Sequence, residues 1–165
     1  MKLGICDLGI QDARFSRTIW QVYGTLVIKG VTNIGRGSKL CIGGGAKLVL
    51  GYNFRISGDT QIICEKGITF GDRCLLSWDI LIMDSDLHHL HNSNDDVINA
   101  PKPIVVGNHV WIGCRSTILK GVSIADDVVI SANSTVTRSV DNQRCIVGGQ
   151  GKNLDILKKD IMWSI

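Results

Sequence analysis

Residues 106–136 read VGNHVWIGCRSTILKGVSIADDVVISANSTV, and this stretch decides the fold. A period of six matches neither a 3.6-residue helix nor a meander with turn signals every 8–12 residues. A short fixed period is typical of a solenoid, in which each repeat forms one short strand and one corner. The stretch therefore predicts a parallel β-solenoid. The β-branched aliphatic residues that recur at every sixth position are Val106, Ile112, Ile118, Ile124, Ile130 and Val136.

Strand parity predicts which side chains enter the core of this solenoid. Alternate residues of a strand point to opposite faces, so the even-numbered aliphatic positions are expected inside. Small or β-branched residues four positions after each of them are also expected inside. These are Val110, Ser116, Val122, Val128, Ser134 and Val140. Odd-numbered residues such as Trp111, Arg115, Thr117 and Asp127 are expected outside.

The repeat extends towards the N-terminus with less regularity. Ile34, Phe70 and Val106 are each followed by glycine and lie 36 residues apart, a multiple of six. Between residues 42 and 64 the aliphatic positions move two residues out of phase, but they remain even-numbered. Because strand parity survives such a shift, we expect the solenoid to continue through this region.

Two segments break the pattern within what we expect to be a single domain, residues 1–165. Residues 84–103 are polar and turn-rich, and two prolines favour an extended return, so a protruding loop is expected there. Leu154, Leu157 and Ile161 have helical spacing after Asn153, which predicts a short C-terminal helix in a cap at 153–163. The first thirty or so residues are expected to cap the other end.

Composition and charge narrow the function classes. The 165 residues are 44% hydrophobic, 20% charged and 5% aromatic, and the net charge of +3 is scattered, which argues against nucleic-acid binding. No apolar run approaches the roughly 20 residues of a membrane span, and Asp7 interrupts any N-terminal signal peptide. With no CxxC pair, the cysteines are expected to be reduced thiols in a cytoplasmic protein. They are Cys6, Cys41, Cys64, Cys74, Cys114 and Cys145.

Several motifs in this order resemble one family. The segment GNHVWIG at 107–113 resembles the signature of the hexapeptide-repeat acyltransferases, as do ITFGD at 68–72 and VTR at 136–138. The segment SWDILIMDSDLH at 77–88 is similar to the subgroup that O-acetylates sugars of surface polysaccharides. The resemblance implies a left-handed parallel β-helix of triangular cross-section. It also implies a homotrimer that binds acetyl-CoA between neighbouring subunits.

The resemblance assigns the base to the loop. Acetyl transfer from a thioester to a hydroxyl needs the hydroxyl deprotonated as it attacks, and histidine, with an ordinary pKa near 6.5, suits this task. His88 is the expected base, with His89 as the neighbouring alternative and an acceptor-binding candidate. Asp86 is expected to orient the imidazole, and Asp84 to contact the acceptor. The proline that follows this histidine in galactoside acetyltransferases is absent here.

The resemblance also assigns the donor side. Trp111 is expected to border both the acceptor and the pantetheine arm of acetyl-CoA. Cys114, Ala132 and Thr137 are expected to line that arm, and Arg138 to meet a CoA phosphate. Residues 148–153, GGQGKN, depart from the Gly-Asn-Pro-Ala-Lys-like turn of many members, so Lys152 is a candidate for the adenine end only. The even number of Cys114 predicts a small core residue rather than a nucleophile. No metal is expected.

The sequence therefore predicts an acetyl-CoA-dependent O-acetyltransferase that acts on a sugar or polysaccharide precursor in capsule, exopolysaccharide or lipopolysaccharide assembly. One alternative acceptor is a small molecule, such as a free sugar, a nucleotide-sugar amine, serine or an antibiotic. A γ-carbonic-anhydrase-like metalloenzyme is a second alternative, although the four histidines do not reproduce its spacing. They are His88, His89, His91 and His109. A non-catalytic scaffold is the third.

Overall fold

The computed structural model describes residues 1–4, 12 and 14–164. Its strands form three sheets, and the chain visits them in rotation, so that each coil contributes one strand to each sheet. All strand pairs are parallel except the last, β18 with β19. This arrangement is the parallel β-solenoid that the six-residue period predicts.

The three sheets are defined by the strands that they contain. Sheet A has β1 Lys2–Leu3, β4 Thr32–Ile34, β7 Phe54–Gly58, β10 Leu75–Trp78, β13 Trp111–Ile112, β16 Val129–Ile130, β18 Cys145–Gly148 and β19 Asp155–Lys159. Sheet B has β2 Ile19–Val22, β5 Lys39–Ile42, β8 Gln61–Cys64, β11 Leu81–Met83, β14 Thr117–Leu119 and β17 Thr135–Val136. Sheet C has β3 Thr25–Ile28, β6 Lys47–Leu50, β9 Gly67–Phe70, β12 Ile104–Val106 and β15 Ser123–Ile124.

The core is a column of even-numbered side chains inside the three sheets. All twelve residues that parity assigns to the interior between Val106 and Val140 are buried, Ser116 and Ser134 among them. Trp111 and Arg115 are exposed, as expected of odd positions. The period therefore predicted the inward face correctly. Stacked aliphatic side chains stabilise the column, at about 25 cal/mol for each Å² of apolar surface removed from water.

Coil length explains the irregular phase at residues 42–64. Leu40 pairs with Ile62, 22 residues later, whereas Ile118 pairs with Val136, 18 residues later. An even change in coil length keeps each side chain on its face, so parity survives while the six-residue phase does not. The shared phase of Ile34 and Phe70 was misleading, because Ile34 lies in sheet A and Phe70 in sheet C.

The predicted C-terminal helix is wrong. A single 3₁₀ turn at Gly151–Asn153 leads into β19, which pairs antiparallel with β18. Strand pairing satisfies the open edge of β18. Leu154, just before β19, is 2% exposed and Leu157 within it is 61% exposed, so the two leucines do not share one buried helical face.

The described part of the first thirty residues continues the solenoid instead of capping it. β2 and β3 pair in parallel with β5 and β6 as a further coil. Trp20, Leu26 and Ile28 from this coil pack against the core. Residues 5–11, 13 and 165, which include Cys6 and Asp7, lie outside the described residues.

Candidate active site

The segment 84–103 leaves the solenoid between β11 and β12 and folds as an ordered loop. Its two ends are joined where the Lys102 N–H donates to the Asp84 carbonyl at 3.0 Å. Within it, His91 and Val97 form an antiparallel bridge, and the Ile98 N–H donates to the Leu90 carbonyl at 2.9 Å. The sequence predicted this excursion, and the structure shows that a small hairpin forms its outer part.

Asp84 anchors the base of the loop. Its carboxylate is completely buried and accepts three main-chain N–H groups of the preceding coil, from Glu65 at 2.7 Å, Lys66 at 2.9 Å and Gly67 at 2.7 Å. The expected contact between Asp84 and an acceptor is therefore corrected. A fully buried carboxylate that is occupied by three donors stabilises a corner and is inaccessible to a ligand.

Asp86 belongs to a polar cluster above that corner. Its carboxylate accepts a hydrogen bond from the Lys120 ammonium and another, of 2.8 Å, from the Asn99 side chain. These two hydrogen bonds, that of Lys120 foremost, lower the pKa of Asp86 below its usual value. No hydrogen bond joins Asp86 to His88 in the part of the chain that the structure describes. The expected contact between Asp86 and the His88 imidazole is therefore absent among the described residues, and Asp86 is linked only to the His88 carbonyl, through Asn99.

Asn99 connects the two limbs of the loop. Its Nδ2 donates to the Asp86 carboxylate and, at 2.8 Å, to the His88 carbonyl, while its Oδ1 accepts the Leu90 N–H at 2.8 Å. Its own carbonyl accepts from Lys120 Nζ at 2.8 Å. One amide side chain therefore holds the main chain from the His88 carbonyl to the Leu90 N–H, on both sides of His89.

His88 and His89 lie exposed on this anchored loop. Both line a cleft of about 290 Å³, together with Glu65 and Asn99. The His88 imidazole makes no hydrogen bond or ion pair with any described residue, whereas His89 packs edge-to-face with His91 at 6.3 Å. An imidazole without a partner, on a fixed main chain, is free to take a proton from a bound hydroxyl.

Sequence reasoning missed Asn99 and Lys120. Asn99 has no signal beyond a polar residue in a polar loop. Lys120 did have a signal in the register of the coils. Met83 pairs with Leu119, so Lys120 occupies the position in the next coil that corresponds to Asp84. Ile82 likewise pairs with Ile118, 36 residues later, which is twice the 18-residue coil that follows. The coil that contains the loop is therefore 18 residues longer than the next one. Because 18 is a multiple of six, this insertion leaves the six-residue phase of the aliphatic positions unchanged.

Trp111 lies on the outer face of sheet A. It is 37% exposed, and its Nε1 donates to the Ser77 hydroxyl at 3.0 Å. Its ring is tilted against that of Trp163, with centroids 5.8 Å apart. The sequence predicted the outward direction of Trp111, but it did not predict that the C-terminal segment would lie beside it.

The expected donor residues lie on the last coils of the solenoid. Cys114 and Ala132 occupy the same corner on successive coils, where the Asn133 N–H donates to the Cys114 carbonyl at 2.8 Å. Thr137 and Lys152 are exposed near the 3₁₀ turn, and Arg138 donates to the Leu154 carbonyl. Cys114 is only half-buried at its turn, which corrects the expected core position, because parity applies to strands and not to corners.

Within one chain the expected donor residues are divided between two corners of the solenoid. The loop with His88 leaves between sheets B and C, where Thr137 and Arg138 also lie, whereas Cys114 and Ala132 lie between sheets A and B. Trp111 is not among the residues that line the His88 cleft. A site that uses His88 together with Trp111 and the Cys114–Ala132 corner is therefore more readily built from two copies of the chain.

The buried thiols are unsuited to nucleophilic attack. Burial, and then the charge of Asp84, raises the pKa of Cys64 to about 12, and burial raises the pKa of Cys74 to about 11. Burial also raises the pKa of Cys145. The thiolate is the reactive form, so these three cysteines are inert at neutral pH. The five described cysteines are all unpaired.

Two further findings concern metals and membranes. Among the described residues, no group of three or more His, Cys, Asp or Glu side chains is arranged to hold a metal ion. In the same residues, no helix has the length and apolar character that crossing a membrane requires.

Comparison with known proteins identifies the repeat. Residues 103–138 match the model of the bacterial transferase hexapeptide repeat, in six repeats. The crystal structure of the polysialic acid O-acetyltransferase OatWY superposes with a TM-score of 0.62 at 26% identity, over 90% of this chain and 91% of that one. The chain thus carries the hexapeptide repeat of bacterial transferases. Its fold is the left-handed β-helix of these acetyltransferases.

Two curated relatives of this hexapeptide-repeat protein are O-acetyltransferases of polysialic acid and of galactosides. It is 30% identical over 122 residues to the polysialic acid O-acetyltransferase of Escherichia coli O1:K1 / APEC, covering 73% of this chain and 39% of the relative. It is 32% identical over 98 residues to the galactoside O-acetyltransferase of Escherichia coli K12, covering 58% of this chain and 47% of the relative. The chain thus spans less than half the length of these relatives.

Proposed function

We propose that this chain is an acetyl-CoA-dependent O-acetyltransferase that moves an acetyl group to a sugar hydroxyl in the assembly of a surface polysaccharide. The observation that carries the proposal is the His88 imidazole, which is exposed and has no hydrogen-bond partner among the described residues, while Asn99 holds the His88 carbonyl. The names of the relatives, which include polysialic acid and galactoside O-acetyltransferases, support this reaction class. The proposed location is the cytoplasm, where acetyl-CoA is available.

The proposed chemistry is direct transfer within a ternary complex. His88 removes the proton of the acceptor hydroxyl as its oxygen attacks the thioester carbonyl. Backbone N–H donors stabilise the oxyanion of the tetrahedral intermediate. Collapse of the intermediate forms the ester and expels the CoA thiolate, which takes the proton back from the His88 imidazolium. Asp86, Asn99 and Lys120 position the base and do not exchange protons with it.

We propose a homotrimer with the active sites between subunits. The His88 loop exposes four apolar side chains to solvent, which is unusual for a segment of its length. They are Leu87, Leu90, Val97 and Ile98. The separation of the loop from Cys114 and Ala132, which lie at another corner, supports the same arrangement. On this proposal, the loop of one subunit reaches the outer face of sheet A or the Cys114–Ala132 corner of the next.

The test measures thiol release from acetyl-CoA across a panel of sugars, oligosaccharides and small hydroxyl or amine acceptors. Wild-type protein should transfer to a sugar, and His88→Ala should lower kcat by about 10²-fold or more. His89→Ala is the matched control and should stay within a few-fold of wild type. The base assignment fails if His88→Ala keeps the wild-type rate while His89→Ala loses it.

Other outcomes of the same experiment would replace the proposed function. Acetyl transfer only to amines or antibiotics would show that the acceptor is a small molecule rather than a sugar of a polysaccharide. Stoichiometric zinc without acyl transfer would favour the metalloenzyme. Protein binding without CoA binding would favour the scaffold. Native mass spectrometry tests the trimer, and Leu90→Asp should dissociate it if the loop packs against a neighbouring subunit.

A further inference from the structure

A cleft of about 330 Å³ lies at the corner between sheets C and A, away from the His88 cleft. Six residues line it, and they are Asn53, Arg55, Arg73, His109, Trp163 and Ser164. It is contiguous with Trp111 through Trp163. Neither the family assignment nor the proposed donor residues account for it.

Two arginines give the cleft its charge. Arg55 projects outward from β7, and Arg73 is exposed at the next coil's corner with a left-handed φ of 57°. Neither makes an ion pair with any described residue, in contrast with Arg115, which pairs with Asp79 at 3.6 Å. A guanidinium is a planar fork that matches carboxylate and phosphate oxygens. Two unpaired ones in one cleft favour an anionic ligand.

The nearby carboxylates are already occupied. Asp127 accepts from, or pairs with, His109 Nδ1 at 2.8 Å. Asp72 and Asp126 accept main-chain N–H groups, from Tyr52 at 2.9 Å and from Asn108 at 2.7 Å. Among the described residues none of these carboxylates forms an ion pair with Arg55 or Arg73, so both guanidinium groups remain free to bind a ligand.

Trp163 supplies an aromatic wall that is built for this position. The C-terminal segment crosses back over sheet A after β19, with the Ile161 N–H donating to the Arg144 carbonyl at 3.0 Å. The Trp163 indole then stacks on His109, with centroids 4.2 Å apart and planes at 9°, and its Nε1 donates to the His109 carbonyl at 3.0 Å. An indole beside polar groups offers the apolar surface on which the C–H face of a sugar ring packs.

We infer that this cleft binds an anionic sugar of the acceptor, with Arg55 and Arg73 holding its carboxylate or phosphate and Trp163 holding its ring. The inference rests on the proposed function and narrows its acceptor to acidic glycans. The residues expected to hold CoA lie mainly at the other two corners, Cys114 and Ala132 between sheets A and B and Thr137 and Arg138 between sheets B and C, so we assign the anion to the acceptor and not to the donor.

The test is direct binding to the full chain, measured by calorimetry without any transfer step. The probes are carboxylated oligosaccharides, namely oligogalacturonate, oligosialic acid and hyaluronan, each beside its neutral methyl ester. Nucleotide diphosphate sugars form a second arm that reports phosphate recognition, and CoA forms a third. At least one acidic glycan or nucleotide sugar should bind about ten-fold more tightly than its uncharged counterpart, and added salt should weaken it.

Variants then locate the site. Arg55→Gln and Arg73→Gln should each weaken the acidic probe about five- to ten-fold, as expected of a lost charge-assisted hydrogen bond, and leave CoA affinity unchanged. Lys39→Gln removes one exposed charge from sheet B and should change neither the affinity for the acidic probe nor the affinity for CoA. Trp163→Phe should retain most of the affinity that Trp163→Leu loses.

Three results would overturn the inference. They are equal binding of acidic and neutral probes, arginine variants that bind the acidic probe as wild type does, and arginine variants that lose CoA or change oligomeric mass instead. The proposed function is judged separately. If the protein acetylates neutral sugars and both arginine variants keep this activity, only the anionic subsite is refuted. If the protein binds acidic glycans but transfers no acetyl group, only the transferase function is refuted.

Discussion

The coils of residues 104–136 and the loop of residues 84–103 are neighbours in sequence, but they are held together in opposite ways. The coils bury an aliphatic side chain at every sixth residue and pair their backbones in parallel. The loop leaves its apolar side chains exposed, and polar side chains hold it, chiefly Asp84 and Asn99. Repeated burial of aliphatic side chains therefore stabilises the coils, whereas individual side-chain hydrogen bonds stabilise the loop.

The difference teaches where stability and chemistry reside. Loss of one core side chain weakens a column that the whole solenoid shares, so it should be felt throughout the molecule. Loss of one loop hydrogen bond releases a local segment and leaves the column intact. Mutations in the two regions should therefore separate changes in unfolding free energy from changes in activity.

The largest effect is expected in the core. Phe70 is completely buried, with its ring centroid 4.9 Å from that of Phe54. Phe70→Ala should lower the free energy of unfolding by about 3–5 kcal/mol, because it removes apolar burial and leaves a cavity. Chemical denaturation measures the change. Val105→Ala, at an exposed position of the same sheet, is the control and should cost less than about 1 kcal/mol. Equal costs would contradict a shared column.

Asp84 tests the junction between the two regions. Asp84→Asn puts an amide where three N–H groups donate, so at least one buried donor loses its acceptor, and we expect a loss of about 2–4 kcal/mol. Asp141→Asn, at an exposed position, should be neutral. If amide hydrogen exchange becomes faster both at residues 65–67 and in the loop, Asp84 stabilises the coil and the loop together. Faster exchange in the loop alone would mean that Asp84 holds only the loop.

Asn99 should separate activity from stability. Asn99→Ala removes the amide that holds the main chain at His88 and Leu90. We expect kcat to fall about ten-fold or more as the base loses its position, with a change in unfolding free energy near 1 kcal/mol. Asn94→Ala, also in the loop, is the matched control. An Asn99→Ala protein with wild-type kcat would show that the loop needs no anchor for catalysis.

The same contrast explains what could be predicted from the sequence. Burial and strand parity repeat along the chain, so single positions such as Ile118 and Ser134 were assignable without a partner in view. The contacts of Asn99 and Lys120 join residues that the coil brings together, and no local pattern encodes them. The C-terminal helix was wrong because the spacing of Leu154, Leu157 and Ile161 ignores the open edge of β18. Trp163 escaped prediction because its place depends on that same strand pairing.

The smallest effect is expected from the ion pair of the loop. Since the pKa of Asp86 is lowered, its contact with Lys120 is complete above the ordinary aspartate pKa of about 3.9 and is lost only as pH falls through the lowered value. The Asn99 side-chain amide, which donates to Asp86, should therefore keep its NMR shift from neutral pH down to about 4. In Lys120→Met the transition should move to higher pH, because the principal cause of the lowered pKa is gone. Lys39→Met should leave it in place. A transition at the same pH in Lys120→Met and wild type would mean that Asn99 alone organises Asp86, and the loop would then be independent of the coil beneath it.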